Sequence, residues 1–491
     1  MPVDPRTPVL IGSGQINQYD DDEAPDPVGL IAEAAREAAD AHVLEAIDAI
    51  RIVRMLSWRY RDPGLLLGPQ IGATRFASRY SGVGGNVPQS LVNQACLDIQ
   101  RGRADVVLIG GAEKWRTRTR LRAEDRKPDW PPQDDAVPEA PGNDGDVPMA
   151  GPAEMRIQLF APAHVYPMFE QALRIAAGES SDEHRRRIGE LWSQFSAVAE
   201  GNPYAWSRQR LSAQEIWQPG PTNRMISWPY PKLMNSNNMV EQAAVIILAS
   251  AEAATRLKIP SEGWVFPYSG TDSHDTYALG ERADFHRSPA IRIAGRRALE
   301  LAGCGIGDVD FVDVYSCFPS AVQVAATELG LPLADPQRPL TVTGGLTFAG
   351  GPWNNYVTHS IGTMAERLVE KPDGLGLITA NGGNLTKHSI GIYGTRPPST
   401  EFRWEDVQSE VNREPTRTAL EHWDGIGSVE AWTAPFDRDG NPEKAFVAVR
   451  TPGDARTLAV MTASSDVDAS VTEDIAGAKV QVHADGTAEL R

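Results

Sequence analysis

One arrangement occurs twice in this chain, in the same order, and it constrains the fold more than any other feature. In the first half a helical segment over 30–41 leads to a strand-like run at 50–56, then Gly84-Gly85, a helix over 88–101, and an apolar run ending in Gly110-Gly111. In the second half a helical segment over 291–302 leads to the run 309–315, then Gly350-Gly351, a helix over about 357–369, and a run ending in Gly382-Gly383. Repetition on this scale predicts two similar α/β units stacked together, with strands apolar enough to be covered on both faces. The run 243–249, Ala-Ala-Val-Ile-Ile-Leu-Ala, reads as one such strand and is too short to cross a bilayer, so no membrane span is expected.

Between the halves, the stretch of about 117–222 begins with alternating arginines, continues through an acidic, proline-rich region over 128–152, and turns helical over 167–176 and 182–200. It reads as a loop domain inserted into the first half and lying over the core as a lid. After Gly394 the pair Pro397-Pro398 ends regular structure. Beyond it, β-rich runs at 429–433, 445–449, 458–462 and 479–483 are separated by the turn signals Asp439-Gly440 and Asp485-Gly486, which predicts a small antiparallel β-barrel, or a sandwich. The expected division is 1–250 for the first half with its insertion, 251–396 for the second half, and 397–491 for the additional β domain.

A formal net charge of −18 works against nonspecific binding to nucleic acid or an anionic membrane, and no nucleic-acid partner is expected. Cys96, Cys304 and Cys317 are an odd number spread through a long chain, which argues for a reducing compartment and against a disulfide framework. Met1-Pro2-Val3-Asp4-Pro5 has neither a cationic start nor an apolar signal core, so a cytoplasmic location is expected. Gly12-Ser13-Gly14 follows a strand candidate, but a dinucleotide-binding turn needs a third glycine where this chain has Asn17, and an acidic loop over 20–26 replaces the helix. The histidines show no ligand spacing, and no metal is expected.

The duplicated core, the loop domain between its halves, the segment Asn235-Ser236-Asn237-Asn238-Met239-Val240-Glu241-Gln242-Ala243-Ala244 and the glycine pairs at strand ends resemble thiolases, over roughly residues 7–395. The branch this chain looks like is the sterol-carrier type, together with thiolase-like proteins that carry an unrelated extra C-terminal domain. The resemblance implies a duplicated thiolase fold, two βαβαβαββ halves stacked in five αβαβα layers. It also implies CoA or an acyl-CoA as ligand, no covalently bound cofactor, and an acetyl-CoA acetyltransferase-like place in lipid or steroid metabolism. Thiolases pair through the first half; the Gly85-Asn86 region and the extra domain leave monomer and dimer both open here.

The motifs of that family carry over unevenly. Its nucleophilic cysteine, at the start of a buried helix, falls on Gly85 or Asn86; Cys96 comes too late and belongs to the apolar stripe of the helix over 88–101. Its Gly-His-Pro motif reads Gly350-Gly351-Pro352, and its Cys-x-Gly motif reads Ala380-Asn381-Gly382. A hydrogen atom and a methyl group cannot exchange protons, so the resemblance implies that thiolase activity is absent. Its His-Asp-Cys-Phe motif reads Tyr315-Ser316-Cys317-Phe318, where a phenol replaces an oxyanion-binding group.

The remaining candidates for chemistry are Tyr315, Cys317, Tyr356, His359 and His388, and thiolase-like aldolases that use tyrosines as acid and base are the analogy for the first and third. A buried tyrosine with a satisfied hydroxyl is the competing reading. Arg116, Arg118, Arg120 and Arg122 alternate, which on an extended segment puts all four on one side, suited to CoA phosphates or to a solvated edge. Two functions follow: a binding or scaffolding protein that keeps the fold without turnover, or a lyase, aldolase or acyltransferase acting on an acyl-CoA with new acid and base residues.

Overall fold

The computed structural model describes residues 3–142 and 147–491, so Met1-Pro2 and part of the acidic stretch 128–152, residues 143–146, lie outside the described residues. The first sheet has the order Pro8–Asn17, Glu241–Ser250, Val106–Lys114, Ala49–Ile52, Ala77–Tyr80. The second has Phe266–His274, Lys387–Gly394, Leu375–Gly382 and Phe311–Asp313 in the corresponding places, with Arg403–Asp406 added at its edge. In each sheet the strand that opens the half pairs antiparallel with its neighbour, Glu241–Ser250 or Lys387–Gly394, which pairs antiparallel in turn with Val106–Lys114 or Leu375–Gly382. The repetition in the sequence is thus a repetition of topology. Arg403–Asp406, beyond the paired prolines, still belongs to the sheet of the second half.

The helices Val87–Gln100 and Tyr356–Glu370 each pack against strands of both sheets and form the middle layer. Pro27–Ala38 covers the outside of the first sheet and Pro289–Ala302 the outside of the second, which completes five αβαβα layers. Both outer helices start in the same way: an acceptor side chain, Asp26 or Ser288, takes an N–H of the first turn, and proline stands at the first helical position. Glu241–Ser250 is buried throughout because it has layers on both sides. Gly12 and Gly14 lie in the middle of a strand, where a Cβ would stand 2.3 Å from the Ala38 carbonyl oxygen and 2.0 Å from that of Ala34. They let the outer helix approach the sheet, and form no phosphate-binding turn.

The inserted region carries the helices Pro162–Ala177 and Ser181–Gly201, the latter opened by a capping box of Ser180 and Glu183. The additional domain is a six-stranded sheet, antiparallel except for the pair Ala419–Leu420 and Arg456–Met461, and Val460 of the latter also bridges Thr487, just before the opposite edge strand Ala488–Leu490. It is pinned to the second half by fully buried Arg456, which holds Glu430 at 2.7 Å and donates to the Gly280 carbonyl at 3.2 Å. Arg174 ties it to the inserted region through Asp474, at 2.8 and 2.9 Å. No helix among the described residues is long and apolar enough to cross a membrane.

Candidate functional site

The motif residues converge where the middle helices meet the second sheet. Leu375–Gly382 brings Ala380 and Asn381, its neighbour sets His388 directly opposite Asn381, and the chain leaving Phe311–Asp313 delivers Tyr315. Tyr315, Ala380, Asn381 and His388 line a cavity of about 10 Å³. That is about the space for one water and none for an acyl chain.

The glycines of the motifs do not line this cavity, whose other walls include Ile291, Ala321, Ala325 and Leu385; the space beside them is filled separately. A Cβ on Gly85 would stand 2.3 Å from Tyr315 Oη and 2.5 Å from the Asn381 carbonyl oxygen, so the phenol occupies the place of a side chain at 85. A Cβ on Gly351 would meet Ser236 Oγ at 2.2 Å and Asn238 Oδ1 at 2.8 Å. On Gly350, whose φ is +107°, it would meet Gln242 Oε1 at 2.1 Å. The segment 235–242 therefore lies directly on the second glycine pair, and the Gly351 N–H donates to the Asn237 carbonyl at 2.9 Å. Asn86 Oδ1 is wedged against Gly84 and Gly382, buried and without a hydrogen-bond partner among the described residues.

The five candidate side chains do not form one group. The Tyr315 hydroxyl has no hydrogen-bond partner among the described residues, and burial pushes its pKa well above the ordinary phenol value. Tyr356 meets Tyr315 edge to face at 5.5 Å, but its hydroxyl donates to Asp313 at 3.0 Å and lies 2.7 Å from Thr343 Oγ1. It is a pinned core tyrosine outside the cavity lining. The Cys317 thiol, with Asn381 Nδ2 at 3.8 Å, is pushed up to about 12 by burial and stays protonated at neutral pH. His359 faces the first half, with Nδ1 2.9 Å from Gln15 Oε1, and burial pushes it down to about 3, so the ring is neutral. His388 lines the cavity with Nε2 3.5 Å from Asp275. Burial alone would raise the Asp275 carboxyl, but Arg282 at 3.2 Å, His388 and the Ser288 hydroxyl outweigh it and hold Asp275 at about 2.

Tyr166 completes this region. From the helix Pro162–Ala177 its hydroxyl accepts from Asn381 Nδ2 at 2.9 Å and from the Leu385 N–H at 2.8 Å, and donates to the Gly383 carbonyl at 3.1 Å. Its ring stacks on Phe318 at 4.4 Å. Nothing in its local sequence signals this role; only the tertiary fold brings it to Asn381.

The four alternating arginines are not on an extended segment and do not share a side. They lie on the helix Trp115–Ala123, where residues four apart come together and residues two apart do not. Arg116 and Arg120 turn to the acidic loop: Arg116 donates to Asp21 at 2.5 Å and to the Tyr19 carbonyl at 2.8 Å, Arg120 to the Asp21 carbonyl at 2.8 Å. Fully buried Lys114 holds the same loop by the carbonyls of Asp22, Glu23 and Pro25. Arg118 and Arg122 instead line an open cleft of about 610 Å³. No group of three or more histidine, cysteine or carboxylate side chains among the described residues is placed to hold a metal ion.

Comparison with known proteins agrees with this architecture. A family model for the additional C-terminal domain of thiolase-like protein type 1 matches residues 406–487, and one for a thiolase C-terminal domain-like region matches 271–348. Acetyl-CoA acetyltransferase of Methanocaldococcus jannaschii is 22% identical over 61% of this chain and 70% of its own length. That of Methanothermobacter thermautotrophicus is 26% identical over 27% of this chain, and the match spans only 32% of that enzyme. The crystal structure of a monomeric SCP2-thiolase-like protein type 1 from Mycobacterium smegmatis is 32% identical and covers 100% of both chains with a TM-score of 0.85. A match of that extent, through both thiolase halves and the added domain, shows that the chain belongs to the SCP2-thiolase-like proteins of type 1.

Proposed function

We propose that this chain binds CoA or an acyl-CoA in lipid or steroid metabolism without carrying out thiolysis. The observation that carries this reading is the Tyr315 hydroxyl, which fills the side-chain space of Gly85. Thiolysis needs a nucleophile and proton carriers around one open site. Gly85, Gly351 and Ala380 bring none, and the protonated Cys317 and pinned Tyr356 do not replace them. CoA as ligand is supported by kinship with acetyl-CoA acetyltransferases. Three dispersed free thiols suit a cytoplasmic setting, and likeness to the Mycobacterium smegmatis protein supports a monomer.

A second reading is favoured by the unpartnered phenol of Tyr315. Raised by burial, it remains a proton donor at neutral pH and is suited to an enolate oxygen in lyase or aldolase chemistry on an acyl-CoA, once the cavity widens. The test is an assay of the full chain for thiolysis of a 3-ketoacyl-CoA and retro-aldol cleavage of a 3-hydroxyacyl-CoA, alongside calorimetric titration with CoA. Binding without either turnover is expected. Thiolysis overturns the first reading; retro-aldol cleavage that disappears in Tyr315→Phe establishes the second.

A further inference from the structure

The cleft beside the helix Trp115–Ala123 differs in kind from the rest of this acidic molecule. Ala49–Ile52 and Val106–Lys114 run parallel, so the segments that follow them leave the sheet at the same end. The cleft lies between those segments, outside the carboxyl ends of neighbouring parallel strands, where open α/β sheets bind ligands. Six cations line it, Arg54, Arg59, Arg118, Arg122, Arg126 and Lys127, against the single carboxylate of Asp125, in a chain of net charge −18. Arg126 is paired with Glu23 at 2.7 Å and Glu124 at 2.9 Å; the other five have no ion-pair partner among the described residues. A volume of about 610 Å³ is in the range of small-molecule sites.

The walls are ordered for a planar, charged guest. The Arg54 guanidinium lies 4.7 Å from the Tyr80 ring centre and that of Arg118 4.9 Å from the Trp115 ring, Arg118 also donating from one nitrogen to the Leu56 carbonyl, which fixes both cations at the wall of the cleft, where their remaining N–H groups suit phosphate oxygens. Trp58 lines the cleft, braced edge-on by Trp130 at 5.4 Å. Behind this wall the buried Glu113 carboxyl accepts from the N–H groups of Leu56 and Ser57 at 2.7 and 2.8 Å and holds the segment in place.

We propose that this cleft binds the phosphate-bearing nucleotide part of a ligand, arginines on the phosphates and Trp58 against the base. CoA and a free adenine nucleotide are the two sources of that chemistry, and in naming CoA the proposal rests on the reading given under Proposed function. Calorimetric titration of the full chain with CoA, adenosine 3′,5′-bisphosphate and pantetheine tests it. CoA and the bisphosphate are expected to bind and pantetheine not to. In the double variant Arg59→Glu/Arg122→Glu the affinity for both falls by about tenfold or more. Arg75→Glu, an exposed arginine outside the lining, leaves it unchanged. Arg59 and Arg122 are exposed, so the double variant retains the fold, and an unchanged thermal midpoint checks this. CoA binding that ignores the double variant overturns the cleft and leaves the CoA reading standing. Bisphosphate binding lost in the double variant, with no binding of CoA, supports the cleft and overturns the CoA reading. Binding of neither nucleotide overturns the cleft.

Discussion

The cavity among the motif residues and the cleft on the first half are built in opposite ways. In the first, each glycine is matched by a larger group opposite: Tyr315 over Gly85, Ser236 and Asn238 over Gly351, Asn86 against Gly84 and Gly382. The cavity behind Tyr315 and Asn381 holds only about 10 Å³. In the second, long cationic side chains stand apart around open volume, and the groups that fix them lie behind the wall. A glycine with larger groups packed directly against it is therefore no sign of an open pocket. In this chain the space to look for a ligand lies where most of the cations have no ion-pair partner among the described residues.

The pH dependence of stability separates the middle layer from the wall of the cleft by the largest margin. His359 of the middle layer has its pKa pushed down by burial from 6.5 to about 3, so the unfolded chain binds the extra proton. Its contribution is present above 6.5 and is lost as the pH falls toward 3, on the order of 4 kcal/mol across the window. Glu113 behind the cleft has the opposite sign. Burial raises it from 4.5 to about 7 against the two amides it accepts, so the folded chain holds the proton. That contribution is present below 4.5 and is lost as the pH rises toward 7, on the order of 3 kcal/mol. Denaturant midpoints measured against pH are expected to fall less steeply between about pH 6.5 and 3 in His359→Gln, with the slope from carboxyls such as Asp275 remaining, and less steeply between about pH 4.5 and 7 in Glu113→Gln. Identical pH curves for wild type and both variants would remove this distinction.

The next effect concerns closure itself. Gly85→Cys is expected to cost about 2–3 kcal/mol, because the new Cβ meets Tyr315 Oη at 2.3 Å and the Asn381 carbonyl at 2.5 Å. It is not expected to give thiolysis, since positions 351 and 380 still supply no base. Adding Tyr315→Ala relieves the first contact and leaves the second, so part of the loss returns. Urea unfolding of the three variants measures this; a stable, thiolytically active Gly85→Cys would break the account of the cavity.

Much of the fold and less of the site was legible in the sequence, and the reason differs residue by residue. The strand at 243–249 and the helix starting at Pro88 announce themselves because burial on both faces and a first-turn proline are local properties. The run 309–315 is strand only over Phe311–Asp313, because Val314 turns its N–H to the Leu340 carbonyl and the chain leaves the sheet to place Tyr315. Arg116 to Arg122 misled for a geometric reason: alternation by two also contains spacing by four, and a helix sorts the same residues into two faces. Tyr166 and the cleft were invisible because each depends on segments far apart in the chain, joined only through sheet order and the inserted helices.

The two phenols in edge-to-face contact sharpen the distinction between a group available for chemistry and a group of the core. Tyr356→Phe removes a donor from buried Asp313, whose remaining partners include Thr341 at 2.9 Å and the Val342 N–H at 2.9 Å, and is expected to cost about 1–3 kcal/mol. Tyr315→Phe removes a hydroxyl without a partner among the described residues and is expected to cost less than about 1 kcal/mol. Equal costs in chemical denaturation would mean that Tyr315 is as structural as its neighbour.

The smallest effect lies on one helix, between its two faces. Arg116→Ala removes the clasp on Asp21 and the Tyr19 carbonyl, a partly exposed pair whose contribution to global stability is about 0.5 kcal/mol. Arg122→Ala removes an exposed side chain with no ion-pair partner among the described residues and is expected to change stability by less than that. The global difference is slight, but its location is not: amide exchange in residues 20–26 is expected to quicken in Arg116→Ala and to stay at the wild-type rate in Arg122→Ala, because only the first holds the acidic loop. If both variants loosen the loop alike, the sorting of these arginines into a clasp and a cleft fails. The nucleotide site then loses the separation that leaves Arg122 free to serve it.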